Sequence, residues 1–150
     1  MTSEISYRHN NPIGRLPILN VEPTVEAGRW AAKAFVGEVI PFSDVSFREG
    51  HDALGVELLL TNPKGDLTIK RMHAGAAGTD SWHTEVQLEE QGVWKFQIRA
   101  FSDDYETWHH NATVKLAIGA DEELMMLEGV NLFAGAAAEA DRSASAAKKL

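Results

Sequence analysis

The chain has 150 residues, a formal net charge of −8, 44% hydrophobic residues and no cysteine. This length and composition predict one globular domain with its own core, and the lack of cysteine excludes disulfides and thiol chemistry. Acidic charge without a basic stripe argues against nucleic-acid binding. Since the amino terminus carries no signal segment and nothing is long enough to span a bilayer, we expect a cytoplasmic protein without a membrane partner.

The first third of the chain is predicted to hold a polar arm and then edge strands. Residues 1–15 form the arm. Leu16–Val21 is a short apolar run with an internal proline, and proline cannot donate to a strand ladder, so we expect an edge strand there. Ala31–Phe35 is a further strand candidate. Glu38–Phe47 is predicted as a strand with an edge or a bulge at Pro41.

The middle of the chain alternates with period two, which is typical of half-buried strands. Strands are predicted over Ala53–Thr61, Leu67–Met72, residues 82–88 and residues 94–100. In the last of these, the apolar residues from Trp94 to Ala100 share one face. We expect that strand to lie centrally in its sheet and to form a hairpin with residues 82–88.

The carboxyl-terminal third is predicted to begin with a strand and to end with a helix. Asn111–Ile118 alternates weakly and is predicted as strand. Asp121–Glu123 is a helix start, because capping and acidic residues stand at the positive end of the helix dipole. An apolar stripe follows at helical spacing and should dock on the sandwich or on a second subunit; it comprises Met126, Val130, Phe133 and Ala137.

About seven short strands followed by one helix predict a mainly β fold, an immunoglobulin-like antiparallel β-sandwich followed by a C-terminal α-helix. The predicted domains are the arm at 1–15, the β-sandwich domain at 16–119 and the C-terminal helix at 120–150.

Side chains that could carry chemistry are sparse. His109 and His110 would point to opposite faces of a strand and could not chelate one ion together. Asp103, Asp104 and Glu106 could pair as a general acid and base, but turn formation explains them better. We therefore predict no catalytic residue, no metal site and no cofactor.

The aromatic residues allow a sharper hypothesis, since aromatic faces can stack on sugar rings. A carbohydrate platform would use Trp82, Tyr105 or Trp108, whereas Trp94 is expected in the core. A buried Trp108 would favour a structural role, and a solvent-facing Trp108 would favour a sugar platform.

Two motifs resemble a known family. Phe47-Arg-Glu-Gly-His-Asp52 and Tyr105-x-x-Trp-x-His-Asn-Ala112 are similar to the N-terminal domain of the bacterial maltosyltransferase that extends α-1,4-glucans from maltose 1-phosphate, a member of the α-amylase superfamily. The match spans about residues 14–135. His109 and Asp104 depart from the family pattern, where arginine and proline are expected.

The resemblance implies a cytoplasmic homodimer in which this sandwich and a following helical segment build the interface. It places the catalytic pair in a downstream (β/α)8 barrel, so that no catalytic residue transfers to this chain. Residues 120–150 would be the start of a truncated helical segment. The matching motif residues are expected to be structural or to lie at an interface, and they are Arg48, Glu49, His51, Asp52, Tyr105, Trp108, His110 and Asn111.

We therefore expect a non-catalytic accessory domain that supports dimerisation and the catalytic barrel. The alternative is a free-standing carbohydrate-binding module with exposed aromatic residues. A weaker third possibility is a small independent enzyme at the histidine-rich corner.

Overall fold

The computed structural model describes the backbone of residues 16–147 and the side chains as far as residue 140. The chain divides into two compact units. The sandwich unit comprises the described residues up to Gly50 together with Leu54–Phe101, and the helical unit comprises His51–Ala53 together with the residues from Ser102 onward. The predicted polar arm lies outside the described residues, and the predicted domain division at residue 119 stays a prediction.

The sandwich unit is built from two antiparallel sheets. Its strands are β1 (Ile18–Glu22), β2 (Val39–Ser46), β3 (Leu54–Thr61), β4 (Leu67–Arg71), β5 (His73–Ala74), β6 (Ser81–Gln87) and β7 (Lys95–Ser102). One sheet has the order β1-β2-β6-β5 and the other has the order β4-β3-β7. The prediction of a mainly β fold with a β-sandwich is confirmed.

The core lies between the inner faces of the two sheets and centres on β3. Val56 and Leu58 are each 0% exposed, and complete burial of such a side chain contributes about 1.5–3 kcal/mol. Phe42 of β2 meets Phe96 of β7 edge to face, with ring centroids 5.0 Å apart. The alternation predicted for β3 and β7 is confirmed, because alternate residues of both strands join this core.

The position of Pro41 follows from the short length of β1. β1 lies at the edge of its sheet, as predicted, and its pairing with β2 reaches only from Ser46 to Ser43. Pro41 pairs with Glu85 of β6 on the other side. Pro41 therefore lies in a stretch of β2 that has no β1 neighbour, so its missing N–H removes no hydrogen bond to β1.

Four predictions about the strands are wrong. β6 and β7 belong to different sheets, so they form no hairpin, and β7 lies at a sheet edge while β3 is central. The connection between β6 and β7 instead crosses the sandwich, and a Cβ at Gly92 in this connection would come within 2.7 Å of Pro63. Residues 31–35 are irregular, and the predicted strand Asn111–Ile118 is helical as far as Ala117, with Ile118 in a turn.

The helical unit contains α1 (Asp104–Ala117) and α2 (Glu122–Ala147). Asp103 caps α1, because its carboxylate accepts a hydrogen bond from the backbone N–H of Glu106 at 3.0 Å. The Thr107 hydroxyl then donates to the Asp103 carbonyl at 2.8 Å and accepts from the backbone N–H of Ala53 at 2.8 Å. These bonds satisfy donors that a helix start leaves open, which explains why this acidic turn begins a helix.

α2 packs against α1 through Met125 and Gly129, which lie beside the predicted stripe, together with Phe133 from the stripe itself. Met125 and Gly129 are buried, one helical turn apart. The Trp108 indole N–H donates to the Met125 carbonyl at 2.8 Å, and a Cβ on Gly129 would come within 2.6 Å of the indole ring. The rest of the predicted stripe is exposed, with Val130 at 64%, and its docking on a second subunit stays a prediction.

One acidic side chain lies inside the sandwich. Asp44 of β2 is only 2% exposed and accepts a hydrogen bond from the Ser46 hydroxyl. Its second carboxylate oxygen is buried and has no hydrogen-bond partner in the described part of the chain. Burial raises the pKa of this carboxyl, and the bond from Ser46 lowers it by a smaller amount.

The buried carboxyl of Asp44 predicts a pH-dependent stability. Because its pKa is higher in the folded than in the unfolded chain, its favourable contribution is complete below about pH 3.9 and is lost as pH rises through the folded pKa. Asp44→Asn should therefore raise the free energy of unfolding at pH 7, by about 1–2 kcal/mol, and flatten its decline with pH. Urea melts from pH 4 to pH 8 measure this, with the exposed Glu85→Gln as the control. A larger gain at pH 4 than at pH 8 would contradict the assignment.

Two glycines of α2 form a matched pair for a second prediction. Gly129 faces the Trp108 ring, whereas a Cβ on Gly135 would meet nothing within 4 Å. Alanine favours a helix by about 0.8–1 kcal/mol over glycine. Gly135→Ala should raise the melting temperature, and Gly129→Ala should lower it, because the added methyl displaces the indole. Equal stabilisation by both substitutions would show that α1 and α2 do not pack through this contact.

Candidate functional site

The structure divides the eight expected structural or interface residues between the two units. Arg48 and Glu49 follow β2 in the sandwich unit, and the remaining six lie in the helical unit. Four of them lie on α1, which begins at Asp104. His109 and His110 therefore lie on a helix, where neighbouring residues point about 100° apart, and the strand argument about their opposite faces is wrong.

An aromatic cluster forms on the surface of the helical unit. The Tyr105 ring stacks on the His109 ring with 5.7 Å between centroids and 12° between planes. Phe133 of α2 meets Trp108 at 5.6 Å and Tyr105 at 6.1 Å, both edge to face. Edge-to-face pairs of this kind add about 0.5–1.5 kcal/mol beyond the area they bury. The cluster thus joins α1 to α2.

A shallow groove of about 290 Å³ lies beside this cluster. Acidic and amide groups line it next to the Trp108 ring, and its lining residues are Asp52, Asp104, Thr107, Trp108, Asn111, Glu128 and Leu132. The structure thus brings together three of the expected motif residues, namely Asp52, Trp108 and Asn111. Tyr105 contacts Trp108 next to the groove, while His51 and His110 are exposed and do not line it.

The tryptophans proposed for sugar stacking are used in internal contacts. Trp108 is half-buried, and its indole N–H bonds to α2. Trp82 is half-buried and donates to the Ser46 carbonyl at 3.0 Å, and Trp94 donates to the Glu90 carbonyl at 3.1 Å. Of the three sugar-platform candidates, only Tyr105 has an exposed ring, at 46%. This geometry favours a structural role for the tryptophans.

The described part of the chain holds neither a metal-binding cluster nor a membrane-spanning helix. Among the side chains of residues 16–140, His, Asp and Glu form no group of three or more that could hold a metal ion. The same part of the chain contains no helix long and apolar enough to cross a membrane.

Helix α2 carries an exposed apolar arc on the surface of the helical unit. We define this arc by Met126, Leu127, Val130 and Phe133, all of which are more than half exposed. It adjoins the face that packs on α1, so α2 is apolar over more than half of its circumference. A helix that is apolar well beyond its packed stripe is expected to have a second partner.

Sequence reasoning missed helix α1, although the sequence contains the signal. Asp103 stands three residues before Glu106, which is the spacing of a capping residue and its acidic partner at a helix start. Tyr105, Trp108 and Ala112 then follow at helical spacing, and the last two pack inward. The weak alternation after Asn111 obscured this periodicity.

Comparison with known proteins supports the resemblance found in the sequence. Residues 14–150 match the family described as alpha-1,4-glucan:maltose-1-phosphate maltosyltransferase, domain N/S. Maltosyltransferase 1 of Streptomyces coelicolor is 39% identical over 139 residues, which cover 92% of this chain and 21% of that protein. Maltosyltransferase 2 of the same organism is 39% identical over 127 residues, which cover 84% of this chain and 19% of that protein.

A further relative comes from another genus. The maltosyltransferase of Corynebacterium pseudotuberculosis is 36% identical over 132 residues, which cover 86% of this chain and 20% of that protein. The chain thus spans about a fifth of the length of the curated relatives that it matches. Because the family model covers nearly the whole sequence, the chain belongs to the domain N/S family of α-1,4-glucan:maltose-1-phosphate maltosyltransferases.

Proposed function

We propose that this chain is a non-catalytic N-terminal domain of a cytoplasmic enzyme that transfers maltosyl units from maltose 1-phosphate to α-1,4-glucans. Its role is to support dimerisation and to hold the catalytic barrel of the same polypeptide. Its sandwich would be of the immunoglobulin-like type. The match of residues 14–150 to the domain N/S family supports the parent activity.

The exposed arc of α2 is the observation that carries the dimerisation role. The arc is apolar and uncharged, with Val130 64% and Met126 57% exposed. An uncharged apolar helix face is compatible with itself, so two copies related by a twofold axis can bury it against each other. Interfaces of this kind bury apolar residues at their centre and keep charges at the rim.

The carboxylates near the aromatic cluster support a non-catalytic role. Asp103 is buried and caps α1. Asp104 and Glu106 are exposed in the first turn of that helix, where the helix dipole stabilises negative charge. A glycosyl-transferring site needs a carboxyl with a raised pKa as acid. Asp44 has such a raised pKa, but it is buried in the sandwich unit and does not line the groove.

The non-catalytic role predicts the result of an activity assay. The purified chain, incubated with maltose 1-phosphate and glycogen, should release no phosphate above a heat-inactivated sample. The Streptomyces coelicolor maltosyltransferase provides the positive control. Phosphate release that persists through a second purification step would refute the non-catalytic role.

The dimerisation role predicts the effect of a charge placed in the exposed arc. Val130→Glu places a charge in the exposed arc, and burying it without a partner is costly. We expect the dimer dissociation constant to rise at least tenfold, which corresponds to about 1.4 kcal/mol. Sedimentation equilibrium measures this constant.

A matched control is Val93→Glu, because Val93 is also exposed but lies in the sandwich unit. The control should leave the dimer unchanged. A wild-type chain that stays monomeric at the highest concentration, or equal effects of the two substitutions, would contradict dimerisation through α2.

A further inference from the structure

Strand β3 carries an apolar residue on its outward face as well as on its inward face. Its inward residues Val56, Leu58 and Leu60 form the core. The outward residues include Leu59, where a sandwich strand with a solvated face would carry a polar residue. Strands with apolar residues on both faces are typical of sheets that are covered on both sides.

The neighbouring strand β4 extends this apolar surface. Ile69 pairs with Leu59, and Leu67 pairs with Thr61, so these side chains share the outer face of the three-stranded sheet. Leu67 is 56% exposed and Ile69 is 49% exposed. Single exposed apolar side chains are normal on protein surfaces, but this patch is continuous across two strands.

Cationic side chains stand at the other end of the same outer face. The Phe101 ring lies over Gly55, where a Cβ would come within 2.5 Å of it. The guanidinium carbons of Arg71 and Arg99 lie 5.1 and 6.0 Å from the centre of this ring. Arg99 also pairs with Glu57.

The charge balance of this face is opposite to that of the chain. Its charged side chains are Arg71, Arg99, Lys95 and Glu57, which sum to about +2 by the alternation of strand faces, whereas the chain carries −8. Arginine presents five N–H donors in a planar fork. An arginine that already pairs with one carboxylate can therefore donate to a second carboxylate.

We propose that the outer face of the three-stranded sheet is a docking surface for an acidic amphipathic helix of another polypeptide. The apolar stripe of that helix covers Leu59, Leu67 and Ile69, and its carboxylates pair with Arg71 and Arg99. Two strand spacings give a face about 10 Å wide, which matches the diameter of one helix. This surface is separate from the exposed arc of α2 and does not depend on the dimerisation proposed above.

An anionic membrane would also offer negative charge, but the observations favour a polypeptide. Two well-exposed apolar side chains give little insertion into lipid, and about three cations contribute only about 1 kcal/mol each at a membrane surface. The net charge of −8 opposes approach to an anionic bilayer.

A library of displayed helical peptides tests the proposal with a defined probe. Each peptide has a fixed leucine stripe, and the flanking positions vary among Glu, Gln and Lys. Selection against the whole chain should enrich Glu beside the stripe. Enrichment of Gln or Lys, or no enriched peptide, would overturn the proposal, as would co-sedimentation of the chain with phosphatidylserine vesicles.

Two measurements on the enriched peptide locate its site. The double variant Leu67→Thr with Ile69→Thr keeps good strand formers and should weaken binding about tenfold, while Val39→Thr in the other sheet should leave it unchanged. A loss of peptide affinity below threefold in the double variant would overturn the proposal. If the double variant does not fold, NMR shift mapping on the wild type decides: changes over residues 57–61 and 67–71 support the surface, and changes centred on α2 or on β2 refute it.

Discussion

The sandwich unit depends on the packing of its two sheets against each other, with the side chains of β3 at the centre of the core. Val56 and Leu58 are completely excluded from solvent, and residues of both sheets join them. The core has no disulfide to supplement it, since the chain has no cysteine. Its stability therefore rests on apolar burial and backbone pairing. The buried ionisable group of Asp44 lowers this stability, because burying a charge is unfavourable.

The helical unit is organised around one indole ring. Trp108 fills the space left by Gly129 and ties the two helices together with a hydrogen bond to the Met125 carbonyl. Because the Trp108 ring is used in these internal contacts, helix packing explains the presence of this tryptophan in the family motif without a ligand. The aromatic residues around it extend the same contact to Phe133.

The strands could be predicted from the sequence where one face is buried, as in β3 and β7, because period-two alternation records the difference between core and solvent. The pairing of the strands could not be predicted, because the turn residues Glu89–Gly92 are compatible both with a hairpin and with a connection that crosses between the sheets. Helix α1 was missed because residues after Asn111 satisfy both periods. The motif residues Trp108 and Asn111 were found through the resemblance, but the groove that they share with Glu128 required the structure, since residues far apart in sequence line it.

Two elements carry more apolar surface than their own unit covers. α2 has one apolar face for α1 and a second in its exposed arc, and β3 has one face for the core and a second beside Ile69 and Leu67. The chemistry of the uncovered faces differs. An uncharged helix face can bury itself against a copy of itself, whereas an apolar sheet face with arginines at one end repels its copy and selects an acidic partner. The same excess of apolar residues therefore underlies both proposals, dimerisation through α2 and docking of an acidic helix on the sheet.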